Sequence, residues 1–228
     1  MIKNILFDLD DTLLDFHRAE KIALTKTLLH LGLEPKEKIL TRYSELNLAQ
    51  WRLLEQEKIT REAVKVRRFQ LLFSEIGTDC SADYATKYYE HHLAMGHYFV
   101  DGAEELLRFL SGRYRLYLVS NGTTAVQRSR IESAGITKYL SDIFLSQQIG
   151  FEKPNVGFFN YCFSRIPKFK KNETVIVGDS LTSDIKGGKN VGITTVWFNP
   201  NGLGNFYNII PDYEILNLLA LIPLLKAM

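Results

Sequence analysis

The stretch KNILFDLDDTLLDF, residues 3–16, sets four carboxylates directly after a run of apolar residues. A short apolar run of this kind is typical of a fully buried strand in a parallel sheet. Asp8 and Asp10 are two positions apart, so on an extended chain their side chains face the same way. Acidic groups are rarely buried without compensating positive charge. The stretch therefore predicts a buried strand that delivers two carboxylates to one place, together with a cation that makes them tolerable there.

Similar apolar runs recur later in the chain and also end in small, polar or acidic residues. They occupy residues 115–122, 142–148, 174–180 and 193–199. Helical patterns lie between them, as in residues 103–110, where apolar side chains recur at positions i, i+3, i+4 and i+7. This alternation predicts an α/β fold, a Rossmann-like parallel sheet with helices on both faces.

One interval contains no convincing strand. Residues 16–97 carry only helix-like segments, which we expect at 17–32, 36–56, 60–77 and 82–97. We therefore predict a small α-helical domain at 16–97, inserted into an α/β core formed by residues 1–15 and 98–228.

Composition narrows the class of partner. The 228 residues have a net charge of +2 without long runs of one sign, which favours neither a nucleic-acid polymer nor a membrane surface. No stretch approaches the roughly 18 apolar residues of a membrane span. The apolar carboxyl-terminal residues 214–228 are short and contain Pro223, so we expect them to form a helix packed on the body. Cys80 and Cys162 lie outside any metal-binding spacing, which favours reduced thiols in a cytoplasmic protein.

The carboxyl ends of parallel strands meet at one edge of a sheet, and ligands bind there. The residues expected at that edge are Asp8, Asp10, Ser120, Asn121, Lys153, Asp179 and Asp184. A cluster of oxygen ligands without histidine or cysteine suits Mg²⁺, and a lysine suits phosphate. This set matches phosphoryl transfer to a carboxylate, in which one carboxylate attacks phosphorus and a second carries the proton.

These residues also carry a family resemblance. Four ordered segments resemble the four motifs of the haloacid dehalogenase superfamily, in its phosphatase branch. The segments are DLDDT (8–12), VSNG (119–122), EKP (152–154) and GDSLTSD (178–184). The resemblance spans essentially the whole chain, and four ordered motifs are far more specific than one.

The resemblance implies roles for the four acidic residues. Asp8 corresponds to the nucleophile that forms an aspartyl-phosphate. Asp10 corresponds to the general acid and base, and its backbone carbonyl also touches Mg²⁺. Asp8 and Asp179 then ligate the ion, and Asp184 supports the metal shell.

The same matching implies a phosphate-binding group. Ser120 and Lys153 correspond to the residues that orient the phosphoryl group. Asn121 follows Ser120 in the same motif, and Thr12 matches the usual hydroxyl position of the first motif. All four are therefore expected near the phosphoryl oxygens.

The inserted helices correspond to the superfamily's small helical cap, which closes over the site and selects the substrate. NLAQW (47–51), EQEKIT (55–60) and RRF (67–69) resemble the cap of bacterial nucleotidases that act on pyrimidine nucleoside monophosphates, including damaged ones. Asn47, Trp51 and Arg68 then become candidate nucleoside contacts, with Trp51 stacking on a base. In the competing structural interpretation Trp51 is a core aromatic and Arg68 pairs with a neighbouring helix.

The expected function is a Mg²⁺-dependent phosphomonoester hydrolase that acts on a small phosphorylated metabolite, first of all a nucleoside 5′-monophosphate. Sugar phosphates are the main alternative. The superfamily's dehalogenases need neither Mg²⁺ nor an acid two residues after the nucleophile, so Asp10 argues against them. A phosphonate hydrolase would need a cap lysine and a phosphomutase would need water exclusion, and the sequence marks neither. A non-catalytic binding protein would be expected to lack one of the central residues, and all are present.

Overall fold

A computed structural model describes all residues from 1 to 228. The chain divides into two compact units. One contains Met1–Asp15 and Tyr98–Met228, and the other contains Phe16–His97.

The second unit is entirely helical. Its helices are α1 (Phe16–His30), α2 (Glu37–Glu55), α3 (Arg61–Ile76) and α4 (Ala82–Leu93). Helix α3 begins where the side chain of Thr60 accepts a hydrogen bond from the Ala63 amide, and it ends at Gly77, whose φ of 68° is left-handed. The rings of Tyr43, Phe69 and Tyr89 pack together in its interior, with centroids 5.0–5.6 Å apart. Aromatic packing between α2, α3 and α4 thus holds the unit together.

The first unit is built on a parallel sheet of six strands in the order β3-β2-β1-β4-β5-β6. The strands are β1 (Asn4–Phe7), β2 (Arg115–Ser120), β3 (Asp142–Leu145), β4 (Thr174–Gly178), β5 (Thr194–Phe198) and β6 (Tyr213–Ile215). The chain winds outward from β1 in one direction and then continues from β4 in the other. The strand order therefore reverses between β1 and β4, where α/β sheets bind their ligands.

Helices cover both faces of the sheet, which confirms the predicted α/β class. They are α5 (Ala103–Ser111), α6 (Thr124–Ser133), α7 (Ser146–Ile149), α8 (Val156–Arg165), α9 (Lys186–Val191) and α10 (Leu221–Ala227). Successive residues of β1 point to opposite faces. Phe7 packs on the face covered by α5 and α10, and Leu6 packs with Phe158 of α8 on the other.

The carboxyl-terminal segment differs from the prediction. The apolar residues 214–228 were expected to form one helix packed on the body, but Tyr213–Ile215 form strand β6 and pair with β5. A short 3₁₀ turn and α10 follow. Pro223 lies in the first turn of α10, where its missing N–H costs nothing. None of the helices is both long enough and apolar enough to cross a membrane.

The two ends of the inserted residues lie side by side in the first unit. The Asp15 amide donates to the Tyr98 carbonyl at 2.8 Å, and the Val100 amide donates to the Leu13 carbonyl at 3.0 Å. The chain therefore leaves and re-enters the core at neighbouring points.

Candidate active site

A tight turn follows β1 and presents the first motif. The Asp8 amide still donates to the Val177 carbonyl at 3.0 Å, as in a strand. The amides of Leu13 and Leu14 then both donate to the Leu9 carbonyl at 2.9 Å. Asp11 adopts a left-handed φ of 54°, which aspartate tolerates better than most residues. The extended segment is thus shorter than the predicted strand, and the turn decides where Asp10 points.

Three carboxylates meet at the reversal of strand order. Asp8 follows β1, Asp179 follows β4, and Asp184 lies in the turn of π-helix at Leu181–Ile185. One carboxylate oxygen of each lies within 4.8 Å of the others. The structure therefore brings together the carboxylates of Asp8 and Asp179, which the sequence predicts as ligands, and of Asp184, which it predicts as support.

Lys153 is buried among these carboxylates, with 1% of its surface exposed. Its Nζ donates to Asp8 Oδ1 at 2.6 Å, to Asp184 Oδ1 at 2.7 Å and to the Val119 carbonyl at 2.8 Å. These contacts use all three N–H groups of an ammonium. Although burial disfavours the charge, Asp184 and Asp8 outweigh it and raise the pKa of Lys153. Lys153 is therefore the built-in counter-ion of Asp8.

One ammonium does not balance three carboxylates. Burial raises the pKa of Asp8 to about 8, and the charges of Asp184 and Asp10 add to the rise while Lys153 opposes it. Burial, followed by the charges of Asp8 and Asp184, raises the pKa of Asp179 well above its ordinary value. The cluster thus favours an added positive charge, and its donors are all oxygen, as Mg²⁺ prefers. Asp8, Asp179 and Asp184 are the side chains that fit such an ion.

The carboxylate of Asp10 bonds to side chains of α6. The side chain of Arg130 donates to its Oδ1, and Gln127 Nε2 donates to its Oδ2 at 2.6 Å. The Asp10 side chain keeps 28% of its surface exposed. Its carboxylate is outside the three-carboxylate cluster, and the predicted contact of its backbone carbonyl with the metal stays a prediction.

Ser120 ends β2, and Asn121 follows it. Ser120 Oγ accepts hydrogen bonds from Gln127 Nε2 at 2.8 Å and from the Gly122 amide at 3.2 Å. The Asn121 side chain makes two hydrogen bonds to the backbone of Lys153. Its Nδ2 donates to the Lys153 carbonyl at 2.9 Å, and its Oδ1 accepts from the Lys153 amide at 2.8 Å. The predicted contact of Ser120 with phosphate stays a prediction, whereas the Asn121 side chain fixes the loop that carries Lys153.

Thr12 is fully buried. Its hydroxyl accepts from the Asp179 amide at 3.2 Å and lies 3.5 Å from Asp179 Oδ1. The carbonyl of Asp179 in turn accepts from the indole of Trp197 at 2.7 Å. These contacts favour a role for Thr12 in fixing the position of Asp179. They give less support to the predicted contact of Thr12 with phosphate.

In the helical unit, two of the candidate nucleoside contacts bind each other. Arg68 donates to Asn47 Oδ1 at 2.9 Å, and Asn47 Nδ2 donates to Glu20 Oε1 at 2.7 Å. All three side chains are buried, and the Arg68 guanidinium also lies 4.6 Å from the centre of the Tyr89 ring. These contacts favour a structural role for Arg68 and Asn47. Trp51 is half-buried, and Arg61 lies 5.6 Å from the centre of its ring.

Gln127 and Arg130 are absent from the sequence-based prediction of the site. The signal that could have revealed them is their position on α6. With Ile131 and Ala134 they follow the i, i+3, i+4, i+7 spacing of a buried helix face. Polar side chains at such positions need partners, and here the partners are Asp10 and Ser120.

Residues 5–198 match the family model described as haloacid dehalogenase-like hydrolase. The HAD-hydrolase YfnB of Bacillus subtilis is 39% identical over 93% of this chain and 91% of its own length. The pyrimidine 5′-nucleotidase PynA of Streptococcus pneumoniae is 39% identical over 93% and 90%, respectively. The human N-acylneuraminate-9-phosphatase is 25% identical over 99% of this chain and 94% of its own.

The fold agrees with these relationships. The crystal structure of magnesium-bound YfnB has a TM-score of 0.94 and covers 99% of both chains at 39% identity. The family match covers most of this chain and includes Asp8, Ser120 and Asp179. The chain therefore belongs to the haloacid dehalogenase-like hydrolase family.

Proposed function

We propose that this protein is a Mg²⁺-dependent phosphomonoester hydrolase that acts through an aspartyl-phosphate on Asp8. The observation that carries the proposal is the position of Asp8. Its carboxylate bonds to the ammonium of Lys153 and clusters with the carboxylates of Asp179 and Asp184 at the reversal of strand order. A carboxylate in this position can act as a nucleophile, and a bound metal ion would activate it.

The chain's own residues supply the remaining chemistry. Lys153 binds Asp8 Oδ1 and holds the carboxylate in place for its attack on phosphorus. The bond between phosphorus and the ester oxygen breaks as the new bond to Asp8 forms, and Asp10 gives its proton to the departing oxygen. A water molecule then attacks the phosphorus, gives its proton to Asp10 and releases inorganic phosphate and Asp8. When bound, Mg²⁺ would offset the charge on the phosphoryl oxygens.

Hydrolysis of p-nitrophenyl phosphate tests this mechanism. We expect turnover with Mg²⁺, loss of turnover with a chelator, and a loss of at least about 10⁴-fold in kcat for Asp8→Asn, as for other removed nucleophiles. Asp79→Asn, an exposed carboxylate in the helical unit, is the matched control and is expected to keep wild-type activity. Turnover that persists in Asp8→Asn or in the chelator would contradict the mechanism.

The proposed substrates are nucleoside 5′-monophosphates, with pyrimidine nucleotides first. The support is the resemblance of residues 47–69 to nucleotidase caps and the 39% identity to a protein named as a pyrimidine 5′-nucleotidase. A screen of phosphate release across nucleotides, sugar phosphates and small phosphorylated acids tests it. A clear preference for sugar phosphates would reject the nucleotidase assignment and leave the phosphatase mechanism intact.

We further propose that the helical unit, residues 16–97, is the cap that selects the substrate, with Trp51 as the base contact. The partial exposure of Trp51 supports this role. We also propose that the protein is cytoplasmic, and the support is that its two cysteines lie far apart in the sequence and outside any metal-binding spacing.

A further inference from the structure

Two side chains of α6 connect the general acid to the phosphate-binding serine. Gln127 and Arg130 lie one turn apart and are buried, with exposed fractions of 1% and 0%. Neither belongs to the four sequence motifs. We propose that Gln127 and Arg130 are positioning residues, which fix the carboxyl group of Asp10 and the hydroxyl of Ser120 relative to each other for proton transfer to the leaving oxygen. The inference rests on the proposed phosphatase function.

The orientation of the Gln127 amide is settled by its neighbour. Arginine has only donors, and Arg130 Nη1 lies 3.0 Å from Gln127 Oε1. The nitrogen of the amide must then be on the other side, where it lies 2.6 Å from Asp10 Oδ2 and 2.8 Å from Ser120 Oγ. Each of the two amide hydrogens therefore has one acceptor.

These contacts determine the hydrogen-bonding role of the Ser120 hydroxyl. A hydroxyl oxygen has two lone pairs, and those of Ser120 accept from Gln127 Nε2 and from the Gly122 amide. The hydroxyl hydrogen is left as a donor for another acceptor, and a phosphoryl oxygen is such an acceptor. The residue at 122 must be small, since a Cβ there would lie 2.3 Å from Gln127 Nε2.

Arg130 completes the arrangement at Asp10. Its guanidinium is planar and always charged, so it is a fixed donor to Asp10 Oδ1. Asp10 is thus held through both oxygens, while 28% of its side chain stays exposed for contact with substrate. A general acid held in one orientation reacts faster because the cost of orienting it is already met.

Leaving-group dependence tests this role. The p-nitrophenolate ion is stable and departs without a proton, whereas an alkyl alcohol needs one. We expect Gln127→Met to lower kcat/KM by about 10²-fold for an alkyl phosphate, within the range of general acid catalysis. The loss with p-nitrophenyl phosphate, which shares the contact with Ser120 but does not need the proton of Asp10, is expected to be smaller by at least about tenfold. The ratio kcat/KM reports the steps up to departure of the alcohol, so slow release of phosphate does not mask the effect.

Two further variants sharpen the test. Arg130→Met is expected to show the same selective loss, and Arg130→Lys, which keeps the charge, to recover part of the activity on the alkyl phosphate. If Arg130→Met does not fold, Gln127→Met decides the question. Arg128→Met is the matched control, because Arg128 is exposed on the same helix and bonds to Gln148.

The outcomes separate this inference from the function on which it rests. Equal losses on both esters in a folded Gln127→Met would overturn the inference while the phosphatase function stands. A wild-type protein that hydrolyses neither ester would overturn both. A selective loss on the alkyl ester, with Arg128→Met unchanged, supports the assignment.

Discussion

At the scale of single residues, Lys153 shows how burial and charge are balanced in the site. Its ammonium joins the ends of three elements, since its partners follow β1, end β2 and lie in the turn after β4. Burial of a charge is tolerated only when partners surround it. The residue is therefore needed for the fold as well as for the proposed chemistry.

Replacing Lys153 by methionine leaves Asp8 and Asp184 facing each other without their counter-ion. In the presence of a chelator, we expect the free energy of unfolding to fall by about 3–5 kcal/mol, as when one partner of a buried ion pair is removed. Urea unfolding measures the change. Lys171→Met is the control, because Lys171 is exposed and should change stability by less than about 0.5 kcal/mol. Equal effects of the two substitutions would refute the assignment of Lys153 as counter-ion.

We expect Trp51 to contribute to the binding of nucleotides and not to the binding of phosphate esters that lack a base. Trp51→Leu should raise KM for a nucleoside monophosphate by about tenfold, since stacking of one base contributes about 1–3 kcal/mol. The KM for p-nitrophenyl phosphate, which carries no nucleobase, serves as the internal reference. Leu48→Ala, an exposed apolar position on the same helix, is the matched variant and should change neither value. A rise of the same size for both substrates would assign Trp51 to the core of the helical unit instead.

The residues that the sequence could predict are those in motifs at strand ends, such as Asp8, Lys153 and Asp179. Their spacing and chemistry are visible locally, and the strand ends bring them together. Gln127 and Arg130 could not be found in the same way. Their function depends on contacts across 117 and 120 residues of chain, which no local pattern encodes.

At the scale of elements, α9 packs closely on the sheet because of Gly188. A Cβ at this position would lie 2.6 Å from Thr195 Cγ2 and 2.7 Å from Ile176 Cγ2. Both neighbours are on strands, so the helix and not the sheet would have to move. Such a shift would disturb the turn before α9, which carries Asp184.

Gly188→Ala is therefore expected to destabilise the protein by about 1–3 kcal/mol, the usual cost of overpacking. Thermal or urea unfolding measures it. Gly112→Ala is the matched control, because Gly112 has an ordinary φ of −86° and nothing lies within 4 Å of its would-be Cβ. That control should be neutral or slightly stabilising. A neutral Gly188→Ala would show that α9 can move away without cost.

In the helical unit, Glu20 links α1 to α2. Burial raises the pKa of Glu20 above its ordinary 4.5, against the opposing contributions of Ser44, Arg68, His17 and Asn47. The folded state then holds its proton at a pH where the unfolded state has released it. The contribution of Glu20 to stability therefore falls as the pH rises above about 4.5.

Glu20→Gln removes this titration, keeps an acceptor oxygen for Asn47, and offers its amide N–H to the Ser44 hydroxyl. We expect the free energy of unfolding of the variant, relative to wild type, to rise between pH 4 and pH 7. Urea unfolding across this range measures the difference. Glu34→Gln is the control, because Glu34 is exposed and should show no such trend. A difference that stays constant or falls with pH would contradict the assignment.

For most of the chain, the periodicity of apolar residues was enough to tell helices from strands. It did not reveal strand β6. A buried strand is recognised by a run of apolar residues. β6 has three residues, and Tyr213 and Glu214 are exposed at the edge of the sheet. Its pairing with β5 is a tertiary contact, and the apolar residues that follow it had suggested a longer helix.

At the scale of the whole molecule, alternation of strand and helix was enough to predict the fold class. The order of strands was not predictable in the same way. The apolar runs of β1, β4 and β5 are alike, and nothing within them states which neighbour each will pair with. The central position of β1 between β2 and β4 is the feature that brings Asp8 next to Asp179.

The neighbouring ends of residues 16–97 predict that the core folds without them. Replacing this segment by a short Gly/Ser linker should leave the hydrogen bond between Asp15 and Tyr98 in place. We expect a folded core that is stabilised by Mg²⁺ and discriminates less among phosphate esters than the full chain. Circular dichroism, thermal unfolding with Mg²⁺ and the substrate screen measure the three properties.

The full-length chain and its Asp8→Asn variant are the references for this deletion. A core that unfolds, or one that keeps the full substrate preference, would contradict the prediction in different ways. The first would make the helices part of the folding unit, and the second would place selection within the core itself.

The two outermost strands of the sheet are short, with four residues in β3 and three in β6. An unpaired strand edge is a template on which other copies can add, and long, uncharged edges are the most hazardous. Here each edge offers few unbonded backbone groups and carries an exposed acid, Asp142 on one side and Glu214 on the other. Mutual repulsion at these margins should keep concentrated solutions of the protein from assembling edge to edge into fibrils.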